Sequence, residues 1–160
     1  NEITLDIPSR PLFRENRGGF VTLKKDGQLR GCIGYIMPLK PLIQTIADNA
    51  ESAALRDPRF PPVTGSELSD LSIEISVLSP VREISDPKEV EVGKHGLIMS
   101  RGNRSGVLLP QVPVEWEWNR EEFLSHTCRK AGLPMDCWKM PDTRIQAFTA
   151  DVFSEEDFGL

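Results

Sequence analysis

Cys32 sits in the hexapeptide Leu29-Arg-Gly-Cys-Ile-Gly34, an apolar, strand-like run broken by two glycines, two residues after Arg30. A thiolate is the reacting form of cysteine, and a neighbouring guanidinium favours it. Glycine inside a strand marks a bulge or a close backbone approach. Gly31 and Gly34 therefore read as places where a substrate could come near the backbone, with the thiol little shielded. A thiol nucleophile also needs a base within hydrogen-bond reach. Of the two histidines, His95 in Lys94-His95-Gly96 is the better candidate, with Glu74 or Glu115 to orient it. Arg30 and Arg59 offer guanidinium forks for a carboxylate or phosphate. Each residue also has a plainer reading. Cys32 could be a small buried hydrophobe whose glycines permit tight packing. Arg30 could close an internal salt bridge to Asp57 or Glu74, and His95 could bond a loop backbone.

Asp57-Pro-Arg-Phe-Pro-Pro62 is a stiff loop; proline fixes the backbone and lowers the cost of ordering a binding surface. It reads either as one wall of a cleft beside Cys32, or as a stop after a helix with Phe60 plugging the core. Trp116 and Trp118 follow Pro110 and Pro113, and with Phe60 they are candidates for a partner surface, since tryptophan is enriched in interface hot spots. The alternation at 114, 116 and 118 equally suits an aromatic face packed on the body. Cys128 reads as core and His126 as solvated. The chain has no HExxH, no paired Cys/His spacing, no EF-hand loop and no phosphate-binding glycine loop, so neither a metal nor a cofactor is expected.

These residues need elements to position them. Phe20–Lys25 reads as a strand, Asp26-Gly27 as a hairpin turn, and Gln28–Met37 as the return strand carrying the hexapeptide. Apolar residues at helical spacing after Pro41 predict an amphipathic helix over 42–55. Strict alternation over 72–79 predicts a half-buried strand. Further strands are expected at Leu97–Ser100 and Val107–Leu109, with a break at Pro110–Pro113. Asn119 reads as a helix cap with Glu121 and Glu122 in the first turn. The inner face of that helix takes Phe123, Leu124, Thr127 and Cys128, and Gly132 ends it. One last strand is expected over 144–153, and residues 1–18 read as irregular. Strands, hairpins and single helices in this order give an α+β fold: a largely antiparallel sheet with a few packed helices and a smaller appended lobe.

A chain of 160 residues is one domain, or one with a small appended lobe. With 39% apolar and 27% charged residues it reads as soluble and globular. Net charge is 19 − 24 = −5, which argues against a non-specific nucleic-acid binder. No apolar run approaches the roughly 20 residues of a membrane span, and there is no signal-peptide pattern. Three cysteines without regular spacing read as free thiols in a reducing cytoplasm. The first residue is Asn rather than Met.

Taken together, the blocks Leu29–Gly34 (LRGCIG), Asp57–Pro62 (DPRFPP), the strand Leu71–Leu78, Lys94–Leu97 (KHGL), Gly106–Pro113 (GVLLPQVP) followed by a Trp, and Arg129–Leu133 (RKAGL) occur in an order that resembles the AMMECR domain family. Prokaryotic members of that family are called protein A of the AmmeMemoRadiSam system. The resemblance implies one AMMECR-like α+β domain over residues 1–160, with a helix usual in the family upstream of the point where this chain starts. It also implies kinship with proteins of no established activity, linked with Memo-like proteins, which resemble non-haem dioxygenases, and with radical-SAM proteins. Two functions follow: a ligand or catalytic cleft around Cys32, His95 and Arg30, or a non-enzymatic module that docks on such partners.

Overall fold

The computed structural model describes residues 9–160. The irregular chain expected over residues 1–8 lies outside the described residues, and Pro11–Arg14 forms a short 3-10 helix. The elements that follow are β1 (Gly19–Lys25), β2 (Gln28–Tyr35), α1 (Leu42–Leu55), β3 (Leu71–Leu78), β4 (Arg82–Glu83), β5 (Gly96–Arg101), β6 (Arg104–Leu108), α2 (Gln111–Glu115), α3 (Arg120–Lys130), β7 (Arg144–Phe148) and β8 (Ala150–Ser154). This is the α+β composition expected. The described residues form two compact units, one running to Leu78 and taking in Asp151–Leu160, the other Ser79–Ala150.

The first unit holds a sheet ordered β2-β1-β3-β8. Asp26 and Gly27 both take positive φ, 53° and 73°, the turn that a two-residue hairpin requires. β1 and β2 pair antiparallel with one irregularity: Leu23 faces Gly31 while Lys24 faces Leu29. Arg30 is the extra, bulged residue. α1 lies on the face carrying Val21, Leu23, Ile33 and Ile73, and Ala53 closes the core against them. Gly31 allows that contact, since a Cβ there would stand 2.1 Å from the Ala53 carbonyl oxygen. By strand alternation, Thr22 and Cys32 point to the opposite face.

The second unit holds a sheet ordered β4-β7-β5-β6. Its core joins Leu97 and Met99 of β5 to Phe123, Leu124 and Cys128 of α3. α3 begins with the expected cap: Asn119 accepts from the Glu122 N–H at 2.9 Å, and Glu122 accepts from the Asn119 N–H at 2.8 Å. Three expectations are corrected here. Cys128 and Cys137 form a disulfide inside this core, so only Cys32 is a free thiol, and the argument for a reducing compartment no longer holds for the other two. Cys137 comes to Cys128 through the turn after Gly132, a meeting that spacing alone did not reveal. Pro110–Pro113 does not simply break the chain; Gln111–Glu115 is a short helix, because a proline in the first turn surrenders no helical hydrogen bond. The last strand is two strands in two sheets, divided at Thr149, whose N–H bonds Ser79 Oγ at 2.8 Å while its carbonyl accepts from the Ser79 N–H at 2.9 Å. No helix among the described residues is long and apolar enough to cross a membrane.

Candidate functional site

β2 is an edge strand, and the backbone of Cys32 needs partners on its open side. The Asp57-Pro-Arg segment supplies them. The Cys32 N–H donates to Asp57 Oδ2 at 2.9 Å, and Arg59 Nη2 donates to the Cys32 carbonyl at 3.2 Å. Asp57 and Arg59 are themselves joined in a fork, Nε to Oδ1 at 3.0 Å and Nη2 to Oδ2 at 2.7 Å. The Arg59 N–H also donates to Asp57 Oδ1 at 3.0 Å, which closes the turn through Pro58. A carboxylate–guanidinium pair thus stands in for a neighbouring strand at one residue of the sheet edge.

Asp57 is buried, and burial opposes its charge. The Arg59 guanidinium wins, with the Cys32 and Arg59 N–H groups, and holds the carboxyl far below its usual range. Arg59 is raised in turn, first by its hydrogen bonds to Asp57 and also by the charge of that carboxylate, against the cost of desolvation. Its side chain remains 54% exposed, and its guanidinium carbon lies 5.6 Å from the centre of the half-buried Phe60 ring. The half-buried Cys32 sulfur lies 3.2 Å from Thr22 Oγ1 on the opposing strand.

Several predicted site residues have other occupations. The bulge turns Arg30 to Glu67, Nε to Oε1 at 3.0 Å and Nη2 to Oε2 at 3.2 Å. Nε and Nη2 are taken by the protein's own carboxylate, in place of the expected Asp57 or Glu74 pairing, while the buried Nη1 has no partner among the described residues; Glu74 pairs with Lys24 at 2.9 Å. Glu67 is held at about 2, first by Arg30 and then by the Thr64 N–H. At Gly31 and Gly34 the space a side chain would occupy is filled by the protein itself. A Cβ on Gly34 would meet the Gly19 carbonyl at 2.3 Å and the Phe20 ring at 2.4 Å. Ile33 and Tyr35 line a cleft of about 570 Å³ with residues of α1, and Cys32 is not on its wall.

His95, Trp116 and Trp118 belong to the second unit. His95 is 3% exposed, and its Nδ1 accepts from the Glu91 N–H at 3.0 Å. Burial first, then Arg82 and Lys94, lowers its pKa, so the ring is held neutral as a local loop tie. Trp116 is 68% exposed. Trp118 packs partly against the core and stacks on His126 at 3.8 Å, so His126 is half-buried rather than solvated. Asp57, Glu67 and Thr22 were not singled out as site residues. Asp57 had a signal, an aspartate two residues before an arginine across a proline, but the backbone it would bind was not in that signal.

The model of the AMMECR1 family matches residues 2–153, which takes in residues of both units and all six motif blocks. The chain is 52% identical over 157 residues to a protein of Methanothermobacter thermautotrophicus, covering 94% of this chain and 81% of that one. It is 53% identical over 159 residues to a protein of Methanopyrus kandleri, covering 94% and 77%. The crystal structure of an uncharacterized protein from Pyrococcus horikoshii superposes with a TM-score of 0.84 at 46% identity, covering 98% of this chain and 82% of that one. A match that runs through the Cys32 strand, its Asp57–Arg59 clasp and the tryptophans of the second unit alike means that the chain belongs to the AMMECR1 family.

Proposed function

We propose that the outer edge of β2 is a ligand site in which Cys32 supplies a reactive sulfur and Arg59 anchors an anionic group. One observation carries this: Asp57 and Arg59 fix both backbone polar groups of Cys32, yet leave the residue only half-buried and Arg59 Nη1 without a hydrogen-bond partner among the described residues. Holding a thiol in one orientation beside a cation favours modification or transfer at sulfur. The proposal rests on the first unit alone and assigns no base. It is tested by pH-dependent alkylation of the whole chain, read by mass spectrometry, with Cys32 as the one free thiol. Folded protein should react faster than urea-unfolded protein, and Arg59→Gln should lower the folded rate several-fold. A Cys32 inert until unfolding would assign the hexapeptide to packing alone.

A second reading has its own observation, the exposed Trp116 held on Trp118. In it the chain is an interaction module that docks on a Memo-like or radical-SAM protein. Trp116→Ala then weakens such a complex while Cys32→Ser leaves it intact.

A further inference from the structure

After α2 the chain stays tightly wound. The Trp116 N–H bonds the Val112 carbonyl at 3.1 Å, Glu117 bonds Val114 at 3.2 Å, and Trp118 bonds Pro113 at 2.9 Å. Glu117 takes a φ of 55°, which is uncommon for a residue with a Cβ. This turn lays Trp116 on Trp118, ring centres 6.1 Å apart and planes 18° from parallel. Trp118 is fixed from below by His126 and the core. Trp116 therefore rests against a ring that is itself held in place, which lowers the side-chain entropy lost on contact with it. An indole 68% exposed is a surface that water wets poorly.

The two residues next to Trp116 in the chain are both acidic. Glu115 and Glu117 flank Trp116, both are exposed, and neither forms an ion pair among the described residues. A tryptophan face attracts cations more strongly than other aromatic side chains. Flanking carboxylates add the oxygen pairs that a planar guanidinium fits. An acidic segment would be repelled by the same groups.

We infer that Trp116, with Glu115 and Glu117, is the contact platform for an arginine-bearing segment of a partner protein. This rests on the interaction reading above and names the chemistry of the partner. Arginine is favoured over lysine because its planar group can stack on the indole while donating to a carboxylate, whereas an ammonium is a compact, strongly hydrated point charge.

The test titrates the full chain with two labelled peptides of equal charge, Gly-Arg and Gly-Lys repeats, by fluorescence anisotropy at physiological salt. The arginine peptide should bind about tenfold more tightly than the lysine peptide, the span of one desolvated cation–aromatic contact. Trp116→Ala should abolish that preference, Glu115→Gln with Glu117→Gln should weaken binding, and Trp116→Phe should keep most of it. Because Trp116 is largely exposed, unchanged circular dichroism checks that the variants fold. Equal binding of the two peptides, binding indifferent to Trp116→Ala, or Trp116-dependent self-association would overturn the inference. The same variant is measured against Memo-like and radical-SAM proteins. If Trp116→Ala weakens such a complex while the arginine preference is absent, only the cationic partner falls; if neither depends on Trp116, the docking reading falls as well.

Discussion

The contacts that define Cys32 are made by residues whose sequence roles were of unequal visibility. LRGCIG stands out because glycine is unusual inside a strand, and the structure gives the reason for one of its glycines in atomic terms. At Gly31 the space a side chain would need is taken by the Ala53 carbonyl, which is backbone near the end of α1 and cannot swing aside. Gly31→Ala should therefore cost about 3 kcal/mol, the upper end of what overpacking costs, read as a lower urea midpoint by circular dichroism. A cost below about 1 kcal/mol would show that strand and helix are less closely apposed than described. Asp57 was less visible. The tripeptide Asp57-Pro58-Arg59 spells a turn, but its target, the Cys32 N–H, is 25 residues earlier and on a strand edge that only the assembled sheet defines. Long-range satisfaction of backbone groups leaves no local trace in sequence.

Elements with a strong period were the legible ones. The helix expected over 42–55 is α1, Leu42–Leu55, because Pro41 sets its start and its apolar residues recur at 3.6. The alternation over 72–79 likewise marks β3, Leu71–Leu78. What periodicity could not convey is which sheet a strand joins. Residues 144–153 alternate well enough to read as one strand, yet the run is shared between two sheets and turns over at Thr149. Nor could it place the bulge at Arg30, one inserted residue that sends a guanidinium to Glu67. The start of α3 was legible because capping is local chemistry, and it makes a prediction at this scale. Asn119→Ala removes the acceptor for the Glu122 N–H and should destabilise the second unit by about 1 kcal/mol, while Asn119→Gly should cost only a few tenths. Tryptophan emission during urea unfolding measures both, and equal losses for Ala and Gly would mean that the side-chain oxygen is not what holds the helix start.

Across the molecule, ionisable groups divide between the two units in a way that separates their responses to acid. In the second unit His95 is buried and neutral, with its pKa lowered from 6.5. The unfolded chain takes up that proton first as pH falls, so stability is full above about 6.5 and declines below it. In the first unit the sensitive groups are carboxylates. Glu67 is lowered from 4.5 to about 2 by Arg30, and Asp57 is lowered further by Arg59. Depressed acids contribute stability above their unfolded values, and the contribution drains away as pH drops through the range between unfolded and folded values. The chain carries its own reporters. Trp116, Trp118 and Trp138 all lie in the second unit, and the one free thiol, Cys32, lies in the first. Urea midpoints are followed by tryptophan emission and by the change in the rate at which Cys32 reacts with a dithiodipyridine, a reagent that reacts in acid. The tryptophan midpoint should begin to fall below about pH 6.5, whereas the Cys32 midpoint should hold until about pH 4.5. His95→Gln should flatten the first decline only, and Glu67→Gln the second only. Midpoints that coincide at every pH would show instead that the two units unfold as one cooperative body, in which case each group's proton linkage is shared by the whole chain.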